Sequence, residues 1–265
     1  MTSGLSTSFG IVPIVSTFNR KRFLTYILAL LAIVALLSTP AVAYASSGSQ
    51  PKMVGSQWAV YEQKTLPSGS LNFYPAAHAT TLTSGGVEFQ MPDGASSSPT
   101  FVNYILDSYT TSLSDSNTIS ATIDVVANTG SPSFLGDTFG GYNLAAPAYV
   151  RLFFQSNLPA SNVSSCVGHG SNVNNYWWAD YSSYTFPSSL GASSGQIVLT
   201  GSLSPSNWSN ICGQSGLNNP GFDMALANVK YVGLSFGSGY FFASGVGVDG
   251  TTGSATFQLL SYTIS

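Results

Sequence analysis

The residues best suited to contact a ligand lie on one predicted strand, Tyr149 to Gln155. Side chains alternate between the two faces of a strand, so Tyr149, Arg151, Phe153 and Gln155 share one face, and the other face is wholly apolar. Aromatic rings stack on the C–H faces of sugars, and guanidinium and amide groups hydrogen-bond to sugar hydroxyls. The polar and aromatic face is therefore a candidate carbohydrate-binding surface.

Arg151 is the leading candidate for a ligand contact. It is the only arginine after the N-terminal basic cluster Arg20–Arg22, and it stands between two aromatic residues of the same face. The alternative is a structural role, in which Arg151 forms an ion pair with a carboxylate on a neighbouring strand, such as Asp180. The sequence leaves both interpretations open.

Three tryptophans are further candidates for stacking on a ligand. Trp177 and Trp178 are adjacent, so in a strand their side chains point to opposite faces. We expect one of them in the core and the other exposed or beneath a loop. Trp208 follows Pro205 and is interpreted first as a turn anchor and second as a stacking platform.

The chain has two cysteines, Cys166 and Cys212. In an oxidising compartment we expect one disulfide between them, which would stabilise the fold by roughly 3 to 4 kcal/mol. His169 lies three residues after Cys166 and raises the alternative of a metal site, but the paired ligand spacing of structural zinc sites is lacking. We predict no metal and no cofactor; the question of a structural calcium ion arises only with the resemblance given below.

Few groups are available for acid–base catalysis. Only Glu62 and Glu88 accompany eight aspartates after the N-terminal segment, and the two histidines are His78 and His169. A glycoside hydrolase needs two carboxylates that flank the scissile bond, and no pair stands in a recognisable setting. A serine nucleophile would need a Gly-x-Ser-x-Gly elbow, which is missing. We therefore predict a noncatalytic protein and keep a glycoside hydrolase as the least favoured alternative.

The N-terminal segment predicts export. Arg20–Arg22 precede an apolar run, Phe23 to Leu37, and small residues up to Ala45, which is typical of a secretory signal cleaved after Ala43 or Ala45. An uncleaved membrane anchor is the alternative, because the apolar stretch is about long enough to cross a bilayer. Both interpretations place the remainder outside the cytoplasm, in the extracellular space or on the cell surface.

Export divides the chain into three parts: residues 1–45 as signal peptide or anchor, 46–52 as a flexible stem, and 53–265 as one domain. Two Asn-x-Ser sequons, at Asn162 and Asn207, are candidate glycosylation sites if the host modifies exported proteins.

The composition excludes some partners. Charged residues are 6% of the chain, against about 25% in a typical soluble domain. Three of the seven basic residues precede the predicted cleavage point, which leaves four basic residues against ten acidic ones. Nucleic acid is excluded as a partner because phosphate binding needs clustered lysine and arginine. A membrane contact is expected only through an uncleaved N-terminal segment.

Period-two alternation dominates the exported part and predicts an all-β fold. In Thr118 to Ala127, for example, apolar residues occupy every second position. Similar predicted strands are Gly86 to Met91, Tyr149 to Gln155, Tyr176 to Thr185, Gln196 to Leu203, Val229 to Phe236 and Ser254 to Ile264. The segment from Pro220 to Asn228 alone favours a short helix. Short strands separated by turn residues predict an antiparallel β-sandwich of jelly-roll type.

The order of several segments resembles the second half of galactose-binding-like jelly rolls, which include many noncatalytic carbohydrate-binding modules. The segments are Tyr149–Ser156, Asn175–Tyr181, Gln196–Trp208, Met224–Phe236 and Ser254–Tyr262. The resemblance covers about residues 118–265 and implies a sugar-binding role. Many such modules carry an acidic residue on the last strand for a structural calcium ion, where this chain has Ser261 and Tyr262.

Together the residues and the resemblance predict a secreted or surface-attached, lectin-like module whose partner is a polysaccharide or glycan. A neutral, hydroxyl-rich sandwich could instead be a structural or adhesive subunit that self-associates through strand edges. Glycan affinity and ordered polymer formation would distinguish the two hypotheses.

Overall fold

A computed structural model describes residues 50–65, 71–137, 147–159, 173–238 and 244–265. The predicted N-terminal signal or anchor helix lies outside the described residues. The described strands, in chain order, are β1 (Trp58–Thr65), β2 (Leu71–His78), β3 (Thr80–Thr81), β4 (Val87–Gln90), β5 (Thr100–Ser108), β6 (Thr118–Gly130), β7 (Phe134–Gly136), β8 (Ala148–Ser156), β9 (Tyr176–Thr185), β10 (Ile197–Ser202), β11 (Trp208–Asn210), β12 (Val229–Ser238), β13 (Val246–Val248) and β14 (Gly253–Ile264).

The strands form two antiparallel sheets that enclose one hydrophobic core. The large sheet has the order β11-β9-β8-β12-β5-β1-β2, and β13 joins it beside β5 and also pairs with β7. The small sheet has the order β10-β6-β14-β4-β3. The predicted all-β antiparallel class is therefore confirmed.

Alternation of apolar and polar residues explains which side chains of the small sheet face the core. In β6, Ile119, Ala121 and Ile123 are fully buried, while the residues between them are half-buried and point away from the core. In β14, the core residues Leu259 and Tyr262 are three positions apart instead of two. A register shift against β6 between Leu259 and Ser261 accounts for this change of phase.

The N-terminal part of the domain is integral to the sandwich. Strands β1, β2 and β5 belong to the large sheet, and β3 and β4 belong to the small sheet. β5 lies between β12 and β1, and its residues from Phe101 to Asp107 are all buried. The sequence left the role of residues 53–109 open, and the structure shows that they complete both sheets.

One short helix, α1 (Gly221–Ala227), leads into β12 at the position that the sequence predicts. Its buried side chains include Phe222, whose ring centroid lies 4.8 Å from that of Trp177 in the core. Gly221 is required by close packing, because a Cβ atom there would lie 2.0 Å from the side-chain nitrogen of Asn174. The helix therefore closes one end of the core.

Candidate functional site

The predicted ligand-binding strand is β8, inside the large sheet between β9 and β12. Val150, Leu152 and Phe154 belong to the core between the sheets. The opposite side of the large sheet is here called its outer face. The four candidates that alternate onto the outer face are Tyr149, Arg151, Phe153 and Gln155.

The centre of the outer face is a packed layer of aromatic side chains. The ring centroid of Phe153 lies 4.9 Å from that of Tyr104 and 5.2 Å from that of Trp178. All three rings are buried, and the indole N–H of Trp178 donates a 2.9 Å hydrogen bond to Ser235 Oγ. Burial raises the pKa of Tyr104 above its ordinary value. Phe153 and Trp178 therefore pack the sheet and are closed to a ligand.

Gln155 lies at the end of the same row and is also buried. Within the described part of the chain, nothing donates a hydrogen bond to its Oε1 atom. Its register partners are Tyr231 on β12 and Tyr176 on β9, and both tyrosines are buried as well. Gln155 is thus a polar group enclosed by the aromatic layer.

The other two tryptophans belong to the core. Trp177 faces away from Trp178, as expected for adjacent strand residues, and both are buried. Trp208, which the sequence favoured as a turn anchor, is fully buried, and its indole N–H donates to the carbonyl of Ser202 at 2.8 Å. None of the three indoles presents an open stacking surface.

Strand β9 carries a bulge next to Arg151. Phe153 pairs with Trp178, whereas Arg151, two residues earlier in β8, pairs with Ser183, five residues later in β9. Over this interval β9 therefore contains three more residues than β8. An enlarged bulge bends the strand and redirects its side chains, and bulges are common beside functional sites. The extra length lies within residues 179–182.

Four residues at this bulge form what we call the bulge site: Tyr149, Arg151, Asp180 and Tyr181. The guanidinium carbon of Arg151 lies 5.7 Å from the ring centroid of Tyr149, within the range of a cation–π contact. Asp180 Oδ1 accepts a 2.6 Å hydrogen bond from Ser209 Oγ. Tyr181 is 83% exposed, which makes it the most exposed large apolar side chain among the described residues. A cation, a carboxylate and an exposed ring thus belong to one short stretch of the β8–β9 pairing.

The charge of Arg151 is influenced by its surroundings in two directions. Burial lowers the pKa of Arg151, while the Asp180 carboxylate and the Tyr149 side chain act in the opposite direction. A guanidinium stays protonated in proteins, so Arg151 carries a positive charge, and the Asp180 carboxylate favours that charged form. Arg151 and Tyr149 are both half-buried.

The remaining predicted sites are the disulfide and the two glycosylation sequons. Cys212 is disulfide-bonded, while Cys166 and the sequon residue Asn162 lie outside the described residues. Asn207, the other sequon residue, is half-buried at the end of a 3-10 helix, Pro205–Asn207.

Metal-binding clusters and membrane-spanning helices are the remaining features to consider. Within the described ranges, no three or more His, Cys, Asp or Glu side chains cluster so that they could hold a metal ion. In the same ranges, no helix is long and apolar enough to span a bilayer. At the predicted position of a calcium ligand on β14, Ser261 is half-buried and Tyr262 is buried in the core.

Sequence reasoning missed Tyr181 and considered Asp180 only as a structural partner. Strict alternation along β9 would place Asp180 and Trp178 on one face and Tyr181 on the other. The register shift breaks strict alternation in this interval, and nothing in the local pattern of polar and apolar residues predicts it.

Comparison with known proteins assigns no family. No family model matches this chain, and no curated protein matches it.

Proposed function

We propose that this chain is a noncatalytic carbohydrate-binding protein and that the bulge site contacts the glycan. The observation that carries the proposal is the bulge in β9, whose extra residues include exposed Tyr181 and half-buried Asp180, opposite the segment of β8 that carries Arg151. Exposed aromatic rings next to paired charged hydrogen-bonding groups are the combination that sugar recognition requires.

Each residue of the bulge site has a separate role in the proposal. Tyr181 stacks on the apolar face of a sugar ring. Arg151 donates hydrogen bonds to sugar hydroxyls, and Asp180 accepts hydrogen bonds from them. Tyr149 lies against the guanidinium group and positions it. The buried aromatic layer supports this arrangement from the neighbouring row of the sheet and makes no contact with the glycan.

The proposal also covers architecture and location. The galactose-binding-like jelly roll stays a prediction that the antiparallel sandwich is compatible with. Export to the extracellular space or the cell surface, through a cleaved signal or an uncleaved anchor, is proposed from the N-terminal sequence. A sparsely charged, hydroxyl-rich domain outside the cytoplasm is suited to contact polysaccharides.

Self-association through strand edges is the second candidate function, and the described edges support it less. The edge strands β3 and β11 have two and three residues, and β2 contains Pro75. Short strands and proline both limit edge-to-edge pairing. β10 is the longest uninterrupted edge, with six residues and Val198 64% exposed.

A glycan array probed with the purified protein tests the proposal. We expect retention of a subset of glycans and at least about tenfold weaker binding by Arg151→Lys, which keeps the charge but loses the forked donor geometry. Lys52→Arg, at an exposed position outside the site, is the matched control and should bind as the unmodified protein does. Sedimentation of the same samples detects polymers, and polymers without glycan retention would favour the structural hypothesis.

A further inference from the structure

The charge balance of the bulge site indicates which glycans it accepts. An uncompensated arginine attracts carboxylate or sulfate groups, because bidentate recognition of anions is its strongest interaction. At the bulge site, however, Asp180 lies on the bulged segment of β9 opposite the β8 residue next to Arg151, and its carboxylate favours the charged form of Arg151. An acidic sugar would have to displace that interaction or accept repulsion from Asp180.

A hydrogen bond from Ser209 holds Asp180 in place at the bulge. Ser209 on β11 pairs in register with Trp178 on β9, and its hydroxyl donates to Asp180 Oδ1 at 2.6 Å. Ser209 is itself buried, so this hydrogen bond anchors the carboxylate to the sheet. The net charge of the protein acts in the same direction, since the chain after residue 45 has ten acidic residues against four basic ones. A long anionic polymer would meet net repulsion.

We infer that the bulge site selects neutral glycans over acidic ones and that Asp180 is the residue that determines this specificity. The inference rests on the proposed function and goes beyond it by naming the ligand class. In this account Arg151 and Asp180 act together as a neutral pair that offers hydrogen-bond donors and acceptors to hydroxyl groups. Replacing Asp180 by a neutral residue exposes the charge of Arg151 to the ligand.

The test uses matched oligosaccharides that differ only in charge. Cello-, malto-, manno- and galacto-hexaose are compared with their C6-oxidised forms, in which primary alcohols are carboxylates. For any hexaose that binds, we expect the unmodified protein to prefer the neutral form at least about tenfold. Asp180→Asn should retain the hydrogen bond from Ser209, because an amide oxygen also accepts, and should reduce or reverse the preference.

Controls separate specificity from folding and from the proposed function. Asp115→Asn makes the same chemical change at an exposed turn and should leave the preference unchanged. If Asp180→Asn does not fold, two measurements on the unmodified protein still test the inference: its preference between neutral and oxidised hexaoses, and the salt dependence of its binding. Affinity for a neutral hexaose should change less than about twofold between 50 and 500 mM salt. Equal or tighter binding of the oxidised forms by the unmodified protein overturns the inference and leaves glycan binding standing. Failure to bind any hexaose in either form withdraws both.

Discussion

Asp107 provides a sharp test of the packing described here. It lies on β5, in register with Trp58 on β1 and Val232 on β12, and both of these partners are core residues. Its side chain therefore faces the core, where the residue is only 4% exposed. Burial raises the pKa of Asp107 from its ordinary value of 3.8 to about 7, and a hydrogen bond from the Ser108 backbone opposes this only in part.

The raised pKa makes folding depend on pH. Well below pH 3.8 the carboxyl group is protonated in both states, so it imposes no penalty. Between pH 4 and pH 7 the folded protein retains the proton and the unfolded chain loses it, so the free energy of unfolding falls as pH rises. A shift of about three pKa units corresponds to about 4 kcal/mol, all of it lost by about pH 7. Burial also raises the pKa of half-buried Glu62, which adds to the same trend.

Asp107→Asn removes the ionisable group and keeps its shape. We expect the variant to match the unmodified protein at pH 4 and to be more stable by about 4 kcal/mol at pH 8. Urea unfolding at one-unit intervals from pH 4 to pH 8, with the disulfide intact, measures the difference. Asp115→Asn is the exposed control and should give a difference near zero throughout. A stability difference that does not grow with pH, or a variant that is less stable at pH 8, would refute this placement of Asp107.

Three further substitutions test other contacts by thermal or urea unfolding. Gly233→Ala should destabilise the fold by about 3 kcal/mol or more, because the new Cβ would lie 2.0 Å from the carbonyl oxygen of Ile105. An unchanged melting temperature would contradict the close approach of β12 and β5. Ser235→Ala should lower the free energy of unfolding by about 1 to 3 kcal/mol, because the hydroxyl that accepts from the buried indole N–H of Trp178 is removed. An unchanged stability would contradict that hydrogen bond. Asn210→Ala should lower the free energy of unfolding by about 2 to 3 kcal/mol, because the Asn210 side chain is buried and its oxygen accepts from two backbone N–H groups at 3.0 Å. A stability within about 0.5 kcal/mol of the unmodified protein would contradict these two hydrogen bonds.

The sequence predicted those parts of the fold in which one face of a strand is buried and the other is not. β6 is the clearest case, because its alternating residues face the core and the solvent side in turn. β5 was missed because the core covers one of its faces and the aromatic layer adjoins the other. Its sequence consequently shows a nearly continuous apolar run with no period of two.

Alternation along single strands also predicted part of the candidate site and missed the rest. Alternation placed Tyr149 and Arg151 together on the outer face, as the structure has them. It could not show that Phe153 would be sealed against Tyr104, because that contact joins strands that are distant in the sequence. The bulge that presents Tyr181 arises from the register between β8 and β9, which single-strand patterns do not encode.

The most direct test of glycan binding at the bulge site is a titration calorimetry comparison of Tyr181→Ala and Leu217→Ala. Both remove a large, exposed side chain, 83% and 66% exposed, and only Tyr181 belongs to the site. With a neutral hexaose that the protein binds, the account predicts that Tyr181→Ala weakens affinity about 5- to 30-fold, corresponding to about 1 to 2 kcal/mol of lost stacking, while Leu217→Ala has no effect. Equal affinities for the two variants and the unmodified protein would contradict it.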